Sequence, residues 1–371
     1  MKKLLSPLLA LLAALAAATP AFAAQDAPAV SAQAAVVVHA DTLETLYEKN
    51  ADEPMLIASV TKLMTALVAL DECAPDDMVD ITPEMCGIEG SSMYLRAGER
   101  YSVEELLCGL LLVSGNDAAT ALALHTAGSE EAFAELMNEK AAELGMTGSH
   151  FANPHGLDAP GHRATARDVA LLMAACLEQP AIAEIGASTQ RTVGEKLLLN
   201  HNRLLKEYPG CIAGKTGYTM AAGRCLVTCA EREGTRLICV TLSDPDDWAD
   251  HTALYDWAFD NYAYAPVIDA EMELRLPVAG GENARLSPES GASVLLERGE
   301  LAGLETHIEL PPFVFGPVKA GEALGRVYVT LRGEELASRA LRAAPDAAKS
   351  APLKELARYI SFAGPYYLQT K

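Results

Sequence analysis

The segment from Ser59 to Leu70, SVTKLMTALVAL, is apolar over nearly its whole surface. A helix with this pattern has no face for solvent, so it is expected in the middle of a domain rather than on its outside. The rest of the chain must therefore supply elements that surround it. Lys62 is the exception within the segment, because burial of an ammonium group lowers its pKa unless a nearby charge compensates.

Strand-like segments flank a helical middle. Ala34 to Ala40 and Thr45 to Lys49 read as an opening hairpin, and two later runs, Arg224 to Glu231 and Thr235 to Ser243, are joined by a short turn. Strands at both ends of a helical block predict one α+β domain whose sheet is completed by distant segments. The predicted helices of the middle block are Val103 to Val113, Asp117 to Thr126, Glu130 to Leu144 and Ala166 to Leu177.

The character of the chain changes beyond about Tyr262. Short alternating runs there are separated by Gly- and Pro-rich turns, which is typical of a small all-β sandwich. Ala343 to Pro352 reads as a linker to an amphipathic segment around Leu353 to Leu368. The predicted C-terminal β-sandwich domain therefore covers residues 263–345, and a linker and tail cover 346–371.

The first residues resemble an export signal. Lys2 and Lys3 precede an apolar stretch, and Ala21-Phe22-Ala23 has the small-x-small pattern of a cleavage site. The alternative, an uncleaved anchor, is disfavoured because the apolar stretch is shorter than the ~20 residues that a spanning helix needs. We expect a signal peptide of residues 1–23, a first domain of 24–262, and a protein that acts outside the cytoplasm.

Charge and cysteine usage exclude several classes of function. The formal net charge of −21 disfavours binding to nucleic acid or to anionic lipid by charge alone. Eight cysteines in an exported chain would usually indicate disulfides, but here most lie in helical or strand-like segments, where a free cysteine behaves as a small buried hydrophobe. The histidines lack metal-ligand spacing, so we expect no metal and no cofactor.

Ser59 and Lys62 form the first candidate catalytic pair. Three residues apart on a helix, they share one face, and the amine is within reach of the hydroxyl. A deprotonated lysine beside a serine is a general base beside a nucleophile. The pattern alone is weak, because Ser-x-x-Lys is expected about once by chance in a chain of this length.

Two further motifs follow in order. Ser114-Gly115-Asn116 separates two apolar helices, where the alternative reading is an ordinary loop with Asn116 or the next residue as N-cap. Lys215-Thr216-Gly217 opens a strand, where the alternative is an exposed lysine on a sheet edge. The three motifs together are far more specific than any one of them.

With these motifs the chain resembles the serine-type D-alanyl-D-alanine carboxypeptidases, the low-molecular-mass penicillin-binding proteins. Their three signatures read here as Ser59-Val60-Thr61-Lys62, Ser114-Gly115-Asn116 and Lys215-Thr216-Gly217, and the text around them matches as well: LYEKNADEP, SSMYLRAGERYSVEELL, FANPHGLDAPGHRATARDVALLM and KTGYT. The resemblance is close from Ala34 to about Ser243. It implies a β-lactamase/transpeptidase-like domain, with an antiparallel sheet and an all-helical subdomain, before the β-sandwich.

The resemblance also implies roles for single residues. Ser59 would attack the carbonyl between two D-alanines while Lys62 takes its proton, Ser114 would relay a proton to the leaving amine, and Asn116 would hold Lys62 and the substrate amide. Substrate-binding roles fall to four residues of one strand. Lys215 and Thr216 would bind the terminal carboxylate, Gly217 would leave room for the substrate backbone, and the N–H of Tyr218, with that of Ser59, would form the oxyanion hole.

The expected partners are peptidoglycan pentapeptide side chains, with β-lactam antibiotics as inhibitors. Two rival functions remain: a β-lactamase, disfavoured because no Glu-x-x-x-Asn arrangement lies between Asn116 and Lys215, and a penicillin-binding sensor, disfavoured by the intact motifs. Val60 and Arg224 depart from the family pattern, where Leu and an aromatic residue are expected. The tail either packs on the β-domain or binds a membrane interface weakly through its aromatic edge.

Overall fold

The computed structural model describes residues 26–279 and 281–345. The chain divides into one compact unit of residues 25–260 and a second that begins at Asn261. The predicted signal peptide and the amphipathic tail lie outside the described residues, and their boundaries stay predictions. The bent pair of helices Ala166–Leu177 and Pro180–Ala187 has the length and composition of a membrane span; among the described residues no single helix does.

The strands are numbered in chain order. They are β1 (Ala34–His39), β2 (Thr45–Lys49), β3 (Met78–Asp80), β4 (Arg100–Ser102), β5 (Gln190–Val193), β6 (Lys196–Leu199), β7 (Cys211–Thr219), β8 (Gly223–Arg232), β9 (Thr235–Leu242), β10 (Tyr262–Ile268), β11 (Leu274–Leu276), β12 (Val278–Ala279), β13 (Ala284–Pro288), β14 (Ala292–Glu297), β15 (Leu304–Glu309), β16 (Val314–Phe315), β17 (Ala323–Leu331) and β18 (Glu334–Ala343).

The α-helices are numbered in the same way. They are α1 (Lys62–Glu72), α2 (Val103–Leu111), α3 (Asn116–Ala127), α4 (Glu130–Glu143), α5 (Ala166–Leu177), α6 (Pro180–Ala187), α7 (Leu204–Glu207) and α8 (Asp247–Asn261). Short 3₁₀ turns occupy Ala58–Thr61, Pro83–Met85 and Arg298–Gly303.

An antiparallel sheet with the strand order β2-β1-β9-β8-β7 organises the first unit within the described residues. Every residue of β1 is buried, because apolar side chains cover both faces of the sheet. Alternate β1 residues fall into two different cores: Val36 packs with α1 and the helical middle, whereas Val37 packs with α8. The sheet joins strands from both ends of the unit around the helices, which confirms the predicted α+β class.

The structure adds detail that the sequence pattern does not predict. The expected helix at Ser59 begins as α1 only at Lys62, after the 3₁₀ turn of Ala58–Thr61. Two short antiparallel hairpins, β3–β4 and β5–β6, lie within the helical middle. Helix α8 was not predicted either, because its first turn contains Asp247 and Asp250 and lacks the regular spacing of apolar residues that indicates a helix.

The second unit is built from strands, as its sequence predicts. Its larger sheet has the order β11-β13-β18-β17-β15 among the described residues, and β10 pairs with β14. Alternate residues of the long strand β17, Val327 and Val329, point into its own core. The unit therefore has the inward–outward alternation of an antiparallel sheet that is buried on one face.

All eight cysteines lie in the described part of the chain, and none of them forms a disulfide in the structure. Cys108, Cys176, Cys225, Cys229 and Cys239 are buried. Burial raises the pKa of the Cys108 and Cys225 thiols to about 11. These side chains therefore pack as small apolar groups, which agrees with the reading from sequence.

Candidate active site

Ser59 and Lys62 lie where the 3₁₀ turn passes into α1. The turn starts at Ala58, whose φ of 47° is unusual for a residue with a side chain. A 3₁₀ helix has three residues per turn, so side chains three residues apart, such as those of Ser59 and Lys62, lie one above the other. The Nζ of Lys62 is accordingly 2.9 Å from the Oγ of Ser59.

Two glycines allow this turn to pack tightly. A Cβ on Gly217 of β7 would lie 2.8 Å from the carbonyl oxygen of Ile57 and 3.1 Å from the backbone nitrogen of Ser59. A Cβ on Gly156, which has a φ of 83°, would lie 2.0 Å from the carbonyl oxygen of Ala58. Both positions therefore need glycine for the Ser59 backbone to lie directly against β7 on one side and against the Gly156 loop on the other.

Lys62 is completely buried, and each hydrogen bond that its ammonium group donates goes to an uncharged oxygen. Besides Ser59, the acceptors are Asn116 Oδ1 at 2.7 Å and the carbonyl oxygen of His155 at 2.5 Å. Burial holds the pKa of Lys62 well below its usual range, and the positive charge of Lys215 lowers it further, whereas Asp117 opposes the shift. The lowered pKa favours the neutral amine, which can accept a hydrogen bond from the Ser59 hydroxyl as a general base must.

Ser114 and Lys215 form a second pair close by. Ser114 sits in the break between α2 and α3 with a φ of 59°, and its Oγ accepts a hydrogen bond of 2.9 Å from the Nζ of Lys215. Lys215 also donates to the carbonyl oxygen of Thr216 at 2.7 Å and is 2% exposed. Burial lowers the pKa of Lys215 to about 7.

The first turn of α3 holds the loop in front of it. The N-cap is Gly115, so both Asn116 and Asp117 lie inside the helix, and the N-cap alternative for these two residues is wrong. The Nδ2 of Asn116 donates to the carbonyl oxygen of Glu89, which leaves its Oδ1 for Lys62. Asp117 is buried and accepts hydrogen bonds from Ser92 and from the backbone of the same loop. Helix α3 thus positions both the amide of Asn116 and one wall of the site.

The loop after Phe151 supplies the third acceptor of Lys62. Asn153 closes this loop on itself, because its Oδ1 accepts from the Gly156 N–H at 2.7 Å and its Nδ2 donates to the carbonyl oxygen of Leu157. The closed turn presents the carbonyl oxygen of His155 to Lys62. This stretch matches the family text, but no local pattern in the sequence predicts that the backbone of His155 contacts Lys62.

A cavity of about 300 Å³ opens between these elements. Strand β7 contributes Thr216, Gly217 and Tyr218 to its lining, and β8 contributes Arg224, the direct cross-strand partner of Tyr218. Arg224 is held by Asp247, and its guanidinium lies 5.6 Å from the ring centre of Trp248. The full lining is Ser59, Ser91, Ser114, His201, Thr216, Gly217, Tyr218, Arg224, Asp247 and Trp248.

The structure brings the eight site residues predicted from sequence together around this cavity. Five of them line it, and the other three, Lys62, Asn116 and Lys215, lie behind the lining and hold it through hydrogen bonds. The residues that sequence reasoning missed are Ser91, Asp117, His155, His201, Asp247 and Trp248. Only Asp117 had a sequence signal, as an acidic residue directly after the second motif, which favours a structural contact at a helix N-terminus.

Comparison with known proteins agrees with this geometry. The family model for D-alanyl-D-alanine carboxypeptidase (peptidase S11) matches residues 21–246. The chain is 34% identical to the D-alanyl-D-alanine carboxypeptidase DacF of Bacillus subtilis, over 94% of this chain and 96% of that protein. It is 35% identical to DacC of Escherichia coli, over 87% of each chain. The structure of penicillin-binding protein 5 from Haemophilus influenzae superimposes with a TM-score of 0.70 at 29% identity, over 88% of this chain and all of that one.

Proposed function

Because this chain belongs to the D-alanyl-D-alanine carboxypeptidase family and is a serine-type hydrolase, we propose that it removes the terminal D-alanine of peptidoglycan pentapeptides through an acyl-enzyme on Ser59. The observation that carries this assignment is the 2.9 Å contact between Ser59 Oγ and the Nζ of Lys62. Lys62 is buried and its pKa is lowered, which favours the neutral amine that can accept the serine proton.

The acylation step is a nucleophilic substitution at a carbonyl carbon. Ser59 Oγ forms a bond to that carbon while its proton passes to Lys62, and the bond from the carbon to the nitrogen of the last D-alanine breaks. The leaving nitrogen needs a proton, which the hydroxyl of Ser114 donates. Lys215 can return a proton to Ser114, because its Nζ already donates a hydrogen bond to that oxygen at 2.9 Å. Water then hydrolyses the ester: its oxygen bonds to the carbonyl carbon, the bond from that carbon to Ser59 Oγ breaks, and the shortened peptide leaves. Lys62 releases the proton that it took from Ser59 to solvent and Lys215 regains one from solvent, so both lysines return to their starting states.

The oxyanion formed during attack needs two donors near Ser59. We assign this role to the backbone N–H groups of Ser59 and Tyr218, a device worth about 3–4 kcal/mol per donor. The tight approach of Gly217 to the Ser59 nitrogen supports this assignment, because it brings β7 directly against the 3₁₀ turn. A tetrahedral oxygen can then lie between the turn and the strand.

The terminal carboxylate of the substrate would lie along β7. Thr216 supplies a hydroxyl to the cavity, and Lys215 supplies positive charge from behind it. Arg224 adds a guanidinium that lines the cavity and is 41% exposed. It stands beside Tyr218, where the family pattern has an aromatic residue, and would add positive charge near the anionic end of the substrate.

The proposal places the protein outside the cytoplasm, at the outer face of the membrane or in the cell wall, because its substrate is there. The predicted signal peptide supports this placement. Weak membrane association through residues 353–371 is a further part of the proposal, since the apolar and aromatic residues of that segment suit an interface while its few cations do not. Flotation with liposomes tests it, and equal partitioning of the chain with and without these residues would rule it out.

The function is tested by release of D-alanine from a defined pentapeptide. The wild-type chain should release one D-alanine per peptide, and Ser59→Ala should release none while it keeps the same thermal unfolding. A fluorescent penicillin separates the rival functions in the same samples. A β-lactamase would turn over the penicillin quickly without releasing D-alanine, and a sensor would retain the label without releasing D-alanine.

A further inference from the structure

Tyr94 is an exposed aromatic residue in a strained backbone conformation. Its side chain is 77% exposed, and its φ of 61° lies in the left-handed region, which bulky residues rarely adopt. A ring in this position adds nothing to the core of the unit. Backbone strain at an exposed residue near a functional cavity suggests that the conformation serves the function of the site.

The backbone around Tyr94 is fixed by the residues next to it. Met93 and Leu95 are buried, and their N–H groups both donate to the carboxylate of Asp117. The Tyr94 N–H donates to Ser92 Oγ at 2.8 Å, and its carbonyl oxygen accepts from Lys196 Nζ at 2.9 Å. These contacts hold the main chain in place, while the residue itself stays 77% exposed.

The loop connects this ring to the catalytic cavity. Ser91 lines the cavity, and Tyr94 follows three residues later, so the two Cα atoms are at most about 11 Å apart. The backbone N–H of Asn116 donates to the carbonyl oxygen of Ser91 at 2.7 Å, which ties this wall to the second catalytic motif. The ring therefore stands within reach of a substrate that extends out of the cavity past Ser91.

We propose that Tyr94 is a specificity-determining residue that binds the acyl side of the substrate, the part of the peptide that precedes the scissile bond. This inference rests on the proposed function. In the proposed function the leaving D-alanine ends at the carboxylate, which we assigned to the β7 and β8 wall that Thr216 and Arg224 line. The remaining peptide is too long for the cavity and must continue outside it. The Ser91 loop forms a different wall, to which we assign no role in binding that carboxylate. The exposed ring of Tyr94 on this loop offers apolar contact area at little cost in side-chain entropy.

The test compares two substrates of different length, a short N-acylated peptide ending in D-alanyl-D-alanine and a full pentapeptide. Tyr94→Asn removes the ring but suits the backbone, because asparagine tolerates a positive φ. Tyr94→Phe keeps the ring and serves as the conservative variant. Phe315→Ala removes an exposed aromatic side chain from the second unit and is the control.

We expect Tyr94→Asn to raise the KM for the pentapeptide by about fivefold to tenfold, the size of one aromatic contact. The KM for the short peptide and the rate of acylation by penicillin should stay within about twofold of wild type, and Tyr94→Phe and Phe315→Ala should behave as wild type. Equal losses on both substrates, or an unchanged KM for the pentapeptide, would overturn the proposal. If the wild-type chain releases no D-alanine from either peptide, it is the proposed function that fails.

Discussion

The Nζ of Lys215 donates a hydrogen bond to the Oγ of Ser114 across 2.9 Å, and this contact joins a sheet strand to the break between two helices. Lys62 makes the corresponding connection between α1 and Asn116 at 2.7 Å. Each buried lysine therefore links one catalytic motif to the next. The site depends on the packing of the sheet against the helices, and its two buried lysines differ in their contacts: the Nζ of Lys62 lies 2.9 Å from Ser59 Oγ, whereas that of Lys215 lies 2.9 Å from Ser114 Oγ.

Replacing Lys62 by arginine separates charge from basicity. Arginine keeps a cation near Ser59 but stays protonated at any practical pH, so it cannot accept the serine proton. We expect Lys62→Arg to lower the rate of acylation by penicillin by about 10²–10⁴-fold, the usual contribution of a general base. Stopped-flow acylation measures this. If the variant acylates at close to the wild-type rate, Lys62 is not the general base.

Lys215 should act mainly in substrate binding. Lys215→Met removes the charge behind Thr216, and we expect the KM for the pentapeptide to rise by at least about tenfold, since a hydrogen bond to a charged group contributes roughly 1.5–3 kcal/mol. Lys206→Met changes an exposed lysine on α7 and is the matched control. Steady-state kinetics with the pentapeptide measures kcat and KM for both variants. A fall in kcat with an unchanged KM would contradict the carboxylate role and leave only the proton relay.

The close approach of β7 to the nucleophile turn can be tested with one methyl group. In Gly217→Ala the new Cβ would meet the Ile57 carbonyl oxygen at 2.8 Å, so the strand and the turn must move apart. We expect acylation to fall by at least about tenfold, because the oxyanion donors separate. Gly186→Ala meets only the Ala213 Cβ at 3.6 Å and should leave acylation unchanged. Equal rates in both variants would mean that this contact has no part in catalysis.

Local patterns predicted much of this fold. The opening hairpin and helix α5 lie where apolar periodicity and turn residues placed them, because these signals act within a few residues. Helix α8 was not predicted, because its first turn is acidic and the helix packs in the same core as β1, so its apolar residues show no clear helical periodicity. The three motifs predicted a set of side chains that the structure brings together, but the contact of Lys62 with the His155 carbonyl oxygen joins residues 93 positions apart. Such a contact depends on tertiary packing, which no local pattern contains.

Two buried histidines make the first unit sensitive to acid. Burial lowers the pKa of His251 to about 3 and that of His162 to about 4. In the unfolded chain both would bind protons near pH 6.5, so between that pH and the folded values the unfolded state holds more protons, and stability falls as the pH falls. Each histidine should contribute about 1.4 kcal/mol per pH unit to this slope.

Denaturant unfolding between pH 4.5 and 6.5 measures that slope. His251→Phe removes one titrating group and the hydrogen bonds to Thr228 and Thr241, so its overall stability should be lower but its dependence on pH weaker. His125→Gln, on the exposed end of α3, is the control and should keep the wild-type slope. A slope in His251→Phe as steep as in wild type would show that His251 does not titrate in this range.

Acylation of Ser59 is the central claim, and mass spectrometry of the penicillin-treated protein tests it most directly. The strained amide of a β-lactam stands in for the scissile D-alanyl bond, so the drug should react with the same oxygen that lies 2.9 Å from Lys62 Nζ. The account predicts one adduct per chain, on the proteolytic peptide that contains Ser59, and none in Ser59→Ala. An adduct on any other peptide, or no adduct at all, would contradict it.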